Sequence, residues 1–114
     1  MPYTPIIGCL GYVLSADGRR VLLVHRSRDG YQHAGKWNGL GGKLEPDEDV
    51  YTCLCRELRE EAGLEVTSAR LRGTISWPGF GAGGEDWFGF VFVVDGWTGD
   101  PPERNEDGPL VWHD

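Results

Sequence analysis

Apolar residues along this chain change their spacing twice. From Val50 the sequence VYTCLCRELREEA sets Val50, Leu54, Leu58 and Ala62 four residues apart, the buried stripe of an amphipathic helix. Pro46 and Asp47 predict its start and Gly63 its stop. Outside that stretch the pattern is that of strands. Residues 6–14 (IIGCLGYVL) form an apolar run closed by the turn Ser15-Ala16-Asp17-Gly18, and VLLVHR resumes at residue 21, so a hairpin is predicted. Residues 65–77 place Val66, Leu71, Ile75 and Trp77 among β-formers, Trp87–Val94 (WFGFVFVV) is strongly β-like, and Gly108–Trp112 predicts one more short strand. Between these lie a polar loop at 27–36, a glycine-rich and mobile loop at 78–84, and a solvated connection at 96–108. The pattern is that of an α/β (α+β) domain with one mixed sheet.

At 114 residues the chain is expected to be one domain with a modest core, and its 18 glycines point to tight turns and close backbone approaches. A net charge of −7 argues against a nucleic-acid polymer or an anionic membrane as partner. It leaves room for a small nucleotide, because a metal can supply positive charge locally. No stretch has the length of a membrane span or the pattern of a signal peptide. Of the three cysteines, Cys53 and Cys55 are two apart on the helix and face different ways, so small buried or half-buried side chains in a reducing cytoplasm are expected.

The chemistry concentrates on the helix. Glu57, Glu60 and Glu61 are related by i, i+3 and i+4 and crowd together within a turn. Carboxylates that close repel one another, and a bound cation removes the cost. Oxygen-only donors suit Mg²⁺, Mn²⁺ or Ca²⁺ better than zinc. The competing interpretation is a solvated acidic face on which Arg56 and Arg59 supply helical ion pairs.

The flanks decide between them. Gly42, Glu48, Arg56, Glu57, Leu58, Glu60, Glu61, Gly63 and Leu64 fill every specified place of the Nudix box, G-x5-E-x7-R-E-U-x-E-E-x-G-U with U a bulky aliphatic residue. The chain therefore resembles the Nudix hydrolases. The preceding stretch, Lys36-Trp37-Asn38-Gly39-Leu40-Gly41-Gly42-Lys43, is similar to the W-N-G-x-G-G-K version carried by members that remove oxidised purine nucleotides.

That resemblance implies a Nudix fold spanning residues 1–114, its mixed sheet packed on the box helix. It implies Mg²⁺ or Mn²⁺ held by Glu57, Glu60, Glu61 and the Gly41 carbonyl. Glu85 is expected to reach back to this cluster from the mouth of its strand, with Asp86 as the alternative one position away. Alternation turns the two to opposite faces, so only one can do it. Either Glu85 or Glu57 is expected to take the proton of the attacking water. Arg56 and Glu48 are expected to tie the loop to the helix by an ion pair that orients the ligands. Asn38 matches the residue that contacts the base edge, and its alternative is a turn residue capping its own backbone. Trp37 is expected to pack rather than stack. Arg26 faces either substrate phosphates or solvent, and so does Lys43.

The implied reaction is hydrolysis of an oxidised purine nucleoside triphosphate such as 8-oxo-dGTP to the monophosphate and pyrophosphate. A dinucleoside polyphosphate or a nucleotide sugar is the alternative substrate. A nucleotide-binding module without turnover is the alternative class, and it would be expected to lack one or more box carboxylates. Family members continue past the last strand into a further helix. The resemblance thus predicts either a shortened chain or an apolar face covered by a partner.

Overall fold

The computed structural model describes residues 2–26 and 36–114, without the side chains of Arg26, Lys36 and Trp37. Its elements in chain order are β1 (Ile6–Leu14), β2 (Val21–Arg26), β3 (Lys36–Asn38), β4 (Leu40–Lys43), α1 (Val50–Ala62), β5 (Glu65–Trp77), β6 (Trp87–Thr98), β7 (Arg104–Asn105) and β8 (Gly108–His113). This is a mixed α+β arrangement. The strands run β5-β6-β1-β2-β8-β7, with β3 paired to β2 and β4 paired to β1.

The predicted hairpin forms, but β1 and β2 stay paired only beside their turn, where Val13 faces Leu22 and Leu14 faces Val21. Upstream of that point β1 turns the same edge to β4, with Gly8–Gly11 opposite Lys43–Leu40. On its other edge β1 pairs in parallel with β6, from Ile6 against Trp87 to Val13 against Val94. Meanwhile β2 takes β3 and β8 as antiparallel partners. The sheet therefore divides beyond the hairpin turn. The backbone from Asn38 to Lys43 crosses that division and leads directly into α1.

The helix lies on this sheet through the predicted stripe. Leu54, Leu58 and Ala62 are buried together with Cys53, against Cys9, Val13, Leu40, Phe92 and Val94, while Val50 is half-buried at the margin. Each fully buried leucine contributes roughly 1.5–3 kcal/mol relative to exposure. Cys9 and Cys53 meet in this core as free thiols with their sulfurs 3.1 Å apart, and Cys55 is half-buried.

Two expectations are corrected. The helix starts later than Pro46-Asp47. Its N-cap is Asp49, whose carboxylate accepts from the Thr52 amide at 2.8 Å. Pro46 and Asp47 instead form the preceding turn, closed by Glu48 N–H donating to the Glu45 carbonyl, with Asp47 at φ 64°. At the other end Gly63 caps in the left-handed region as predicted.

The 78–84 loop carries contacts of its own. Asp86 accepts from the Gly79 amide, Glu85 from the Gly83 amide, and Phe80 stacks on Trp77 with ring centroids 5.2 Å apart. The second correction is that 96–108 is more than a solvated connection. It holds the end of β6 and all of β7, and Asn105 donates to the Glu61 carbonyl at the helix C-terminus.

Candidate functional site

A cleft of about 700 Å³ opens where the divided sheet meets α1. One wall is the helix, through Glu57, Glu60 and Glu61, beside Gly41 and Gly42 of β4. A second is aromatic, made of Trp77 from the end of β5, Phe80 from the loop and Trp87 from the start of β6. Tyr12 of β1 and Asn38 of β3 also line it, and the turn between β7 and β8 adds Asn105, Glu106 and Asp107.

Arg56 organises the helix wall. Its guanidinium grips Glu48 with two hydrogen bonds, Nε to Oε2 at 2.7 Å and Nη2 to Oε1 at 3.0 Å, the forked geometry that suits arginine and carboxylate. Nη2 also donates to the Lys43 carbonyl at 3.0 Å, which fixes the loop to the helix. Nη1 donates to Glu57 at 2.9 Å and to Glu60 at 3.2 Å. One guanidinium thus binds two carboxylates of the crowded face. The Glu57 carboxylate rests over Gly42, where an added Cβ would come within 2.6 Å of it. Glu61 accepts from the Gly41 amide at 2.9 Å.

This pairing has an electrostatic signature. Hydrogen bonding to Arg56 is the largest influence holding the Glu48 carboxyl down to about 2, against an ordinary value of 4.5. The same partners push the Arg56 guanidinium up, the Glu48 bonds contributing most. Because the Glu48 value is lower in the folded chain, the pair's stabilisation is fully present above about pH 4.5 and is lost as pH falls toward 2. The melting temperature is expected to drop across that window, and to drop less steeply in Glu48→Gln. Matching acid profiles for the two proteins would contradict the pairing.

The sequence candidates separate into groups. Glu57, Glu60, Glu61, Gly41 and Asn38 come together on the cleft. Glu48 and Arg56 stand behind them as supports. Lys43 is exposed and lines a shallow concavity with Glu45, Pro46, Arg56 and Glu57, next to the cleft, with which it shares Glu57.

Glu85 lies on the Gly83 amide, and Asp86 accepts from Gly79 and from the Tyr3 hydroxyl; neither lines the cleft. The alternation argument does not apply to them, because both precede the first residue of β6. Arg26 and Trp37 as side chains lie outside the described residues.

Several lining residues were not foreseen. Glu106 and Asp107 bring carboxylates to the cleft from the β7–β8 turn, which meets the helix C-terminus through Asn105, and Trp77, Phe80 and Trp87 supply its aromatic wall. The sequence signal for the wall was two tryptophans flanking a glycine-rich loop. For Glu106 and Asp107 there was none beyond ordinary turn composition.

The donor set determines which metal fits. Among the described residues, no three acidic, Cys or His side chains converge on one point as they stand. Two of the helix carboxylates are drawn to Arg56 and the third to the Gly41 amide. Oxygen donors alone, three of them within one helical turn on a cleft wall, match a hard divalent cation in chemistry.

Comparison with known proteins agrees with this architecture. Residues 3–114 match the family model of the NUDIX domain. The chain is 35% identical over 106 residues to an uncharacterized Nudix hydrolase, YvcI, of Bacillus subtilis, covering 90% of this chain and 62% of that protein. It is 38% identical over 105 residues to an oxidized purine nucleoside triphosphate hydrolase of Danio rerio, covering 92% and 65%. The chain thus spans less than two thirds of the length of these curated relatives. A crystal structure of a MutT NUDIX hydrolase from Burkholderia pseudomallei superposes with a TM-score of 0.82 at 32% identity, covering 96% of this chain and 82% of that one. With the box helix, the divided sheet and nearly every residue inside the match, the chain belongs to the Nudix family.

Proposed function

We propose that this chain hydrolyses the diphosphate linkage of a nucleoside triphosphate, releasing the monophosphate and pyrophosphate, with an oxidised purine such as 8-oxo-dGTP as preferred substrate. One observation carries the reading: a single cleft joins a wall of three carboxylates to Asn38 and an aromatic wall. The first part suits the phosphates through a cation, and the second suits a base. Stacking on an aromatic side chain is worth about 1–3 kcal/mol per base, an affinity that an inorganic polyphosphate would not use. The similarity to an oxidized purine nucleoside triphosphate hydrolase supports the choice of base.

Mg²⁺ or Mn²⁺ held by Glu57, Glu60 and Glu61, with the Gly41 carbonyl beside them, would supply the charge that a polyanionic substrate needs and would acidify a water. The chain's own residues do the rest. Arg56 orients Glu57 and Glu60, and it is itself fixed by Glu48. Phosphoryl transfer needs little covalent help, so positioning of this kind is the main contribution of the protein. The proton of the attacking water goes to a carboxylate. Glu106 is the first candidate, since it lines the cleft from the β7–β8 turn, while Glu85, expected in this role, accepts from the Gly83 amide. Glu57 is the second choice, being engaged by Arg56.

The test is a substrate panel: 8-oxo and ordinary purine triphosphates, a pyrimidine triphosphate, a dinucleoside polyphosphate and a nucleotide sugar, with product identified for each. The 8-oxo purine triphosphate is expected to be turned over fastest. A clear preference for the nucleotide sugar or the dinucleoside polyphosphate would replace the substrate assignment. Binding without turnover of any of them would make the chain a nucleotide-binding module.

A further inference from the structure

The loop at 78–85 carries one residue of the aromatic wall, Phe80, among the glycines 79, 81, 83 and 84. Glycine loses more freedom on ordering than any other residue, so such a loop keeps one shape only where something fixes its ends. Asp86 does so. Its Oδ1 accepts from the Gly79 amide at 2.8 Å and closes the loop at its base. Its Oδ2 accepts from the Tyr3 hydroxyl at 3.0 Å, and its backbone carbonyl accepts from the amide of Ile6, the first residue of β1, at 2.9 Å. The base of the loop is thereby pinned to the sheet. Inside it Gly81 N–H donates to the Glu85 carbonyl at 2.9 Å. Phe80 is held stacked on Trp77, with ring centroids 5.2 Å apart, and edge-on to Trp87 at 5.8 Å. Asp86 does not line the cleft, and both of its carboxylate oxygens are engaged away from the helix glutamates.

We infer that Asp86 is a positioning residue for the base: by closing the loop at Gly79 it sets Phe80 on Trp77 before a ligand arrives. The wall is then ordered in folding rather than in binding, and a preorganised surface binds more tightly. The inference rests on the reading of the aromatic wall as the base site and says how that wall is held. It gives Asp86 a role other than the metal contact considered from the sequence.

Equilibrium binding of 8-oxo-dGMP, which requires no turnover, tests this in a mutant cycle with Phe80. Asp86→Ala removes both acceptors and is expected to weaken binding about fivefold, the worth of one hydrogen bond. Phe80→Ala is expected to bind more weakly than the parent. Adding Asp86→Ala to it should cost nothing further, because a residue that acts through Phe80 has no effect in its absence. Asp86→Asn is expected to bind like the parent, since its carboxamide oxygen still accepts from Gly79 and its nitrogen donates to the Tyr3 hydroxyl oxygen. A metal ligand, or a residue needed only for its negative charge, would not be rescued by that variant.

Parent-like binding by Asp86→Ala or by Phe80→Ala, equal losses from Asp86→Ala with and without Phe80, failure of Asp86→Asn to rescue, or a parent that does not bind 8-oxo-dGMP would each overturn the inference. If the expected binding pattern holds while no triphosphate releases pyrophosphate, the inference stands and the hydrolysis assignment falls.

Discussion

Glu60→Gln and Glu61→Gln variants are expected to fold like the parent and to lose turnover by about two orders of magnitude or more. Glu60 is 58% exposed and Glu61 lies on the cleft wall, so neither replacement opens a hole in the core. Glutamine keeps the size and a neutral oxygen but removes the charge a cation needs. Metal-based charge stabilisation is worth several kcal/mol, and each 1.36 kcal/mol is about tenfold in rate. The same variants should show a smaller rise in melting temperature than the parent when Mg²⁺ is added, since a ligand that binds only the folded state stabilises it by mass action. Parent-like rates with a parent-like Mg²⁺ response would return these glutamates to the status of surface charge.

Gly41→Ala is expected to be the most damaging added methyl group among the described glycines. A Cβ at that position would collide with the Cys9 carbonyl oxygen, and backbone of a paired strand cannot step aside as a flexible side chain can. Relief requires β4 to part from β1, which would also withdraw the Gly41 amide from Glu61. Overpacking in tight sites costs about 1–3 kcal/mol, and here a backbone contact puts the expected loss at about 3 kcal/mol or above. Thermal unfolding measures it. Activity should fall with stability rather than separately, in contrast to the glutamate variants. An unchanged melting temperature would show that the β1–β4 pairing is looser than the register implies.

The sequence was most informative where chemistry and periodicity coincide. Leu54, Leu58 and Ala62 announce the helix, and the box spacing puts Glu57, Glu60 and Glu61 on a neighbouring face; both features reappear in the structure. The strands of the first hairpin and β8 were also legible, because each is an apolar run bounded by turn residues. β3 (Lys-Trp-Asn) and β4 (Leu-Gly-Gly-Lys) were not, since three or four residues are too few to carry a period. They became strands through pairing with β2 and β1. The parallel β1–β6 pairing joins segments some eighty residues apart, which local pattern cannot register.

The site shows the same limit. Glu85 and Glu106 are both acidic turn residues in polar surroundings, indistinguishable by composition. Only the docking of the β7–β8 turn through Asn105 onto the helix end brings one of them to the cleft. Asn38 posed a milder version of this problem, because it caps the Gly39 amide and also lines the cleft.

The most direct test of the central claim is to follow the phosphorus-containing products of 8-oxo-dGTP with this chain, in Mg²⁺ and again in excess chelator. The account predicts monophosphate and pyrophosphate in Mg²⁺ and neither in chelator. Orthophosphate and diphosphate as products, or equal release with the metal removed, would contradict it.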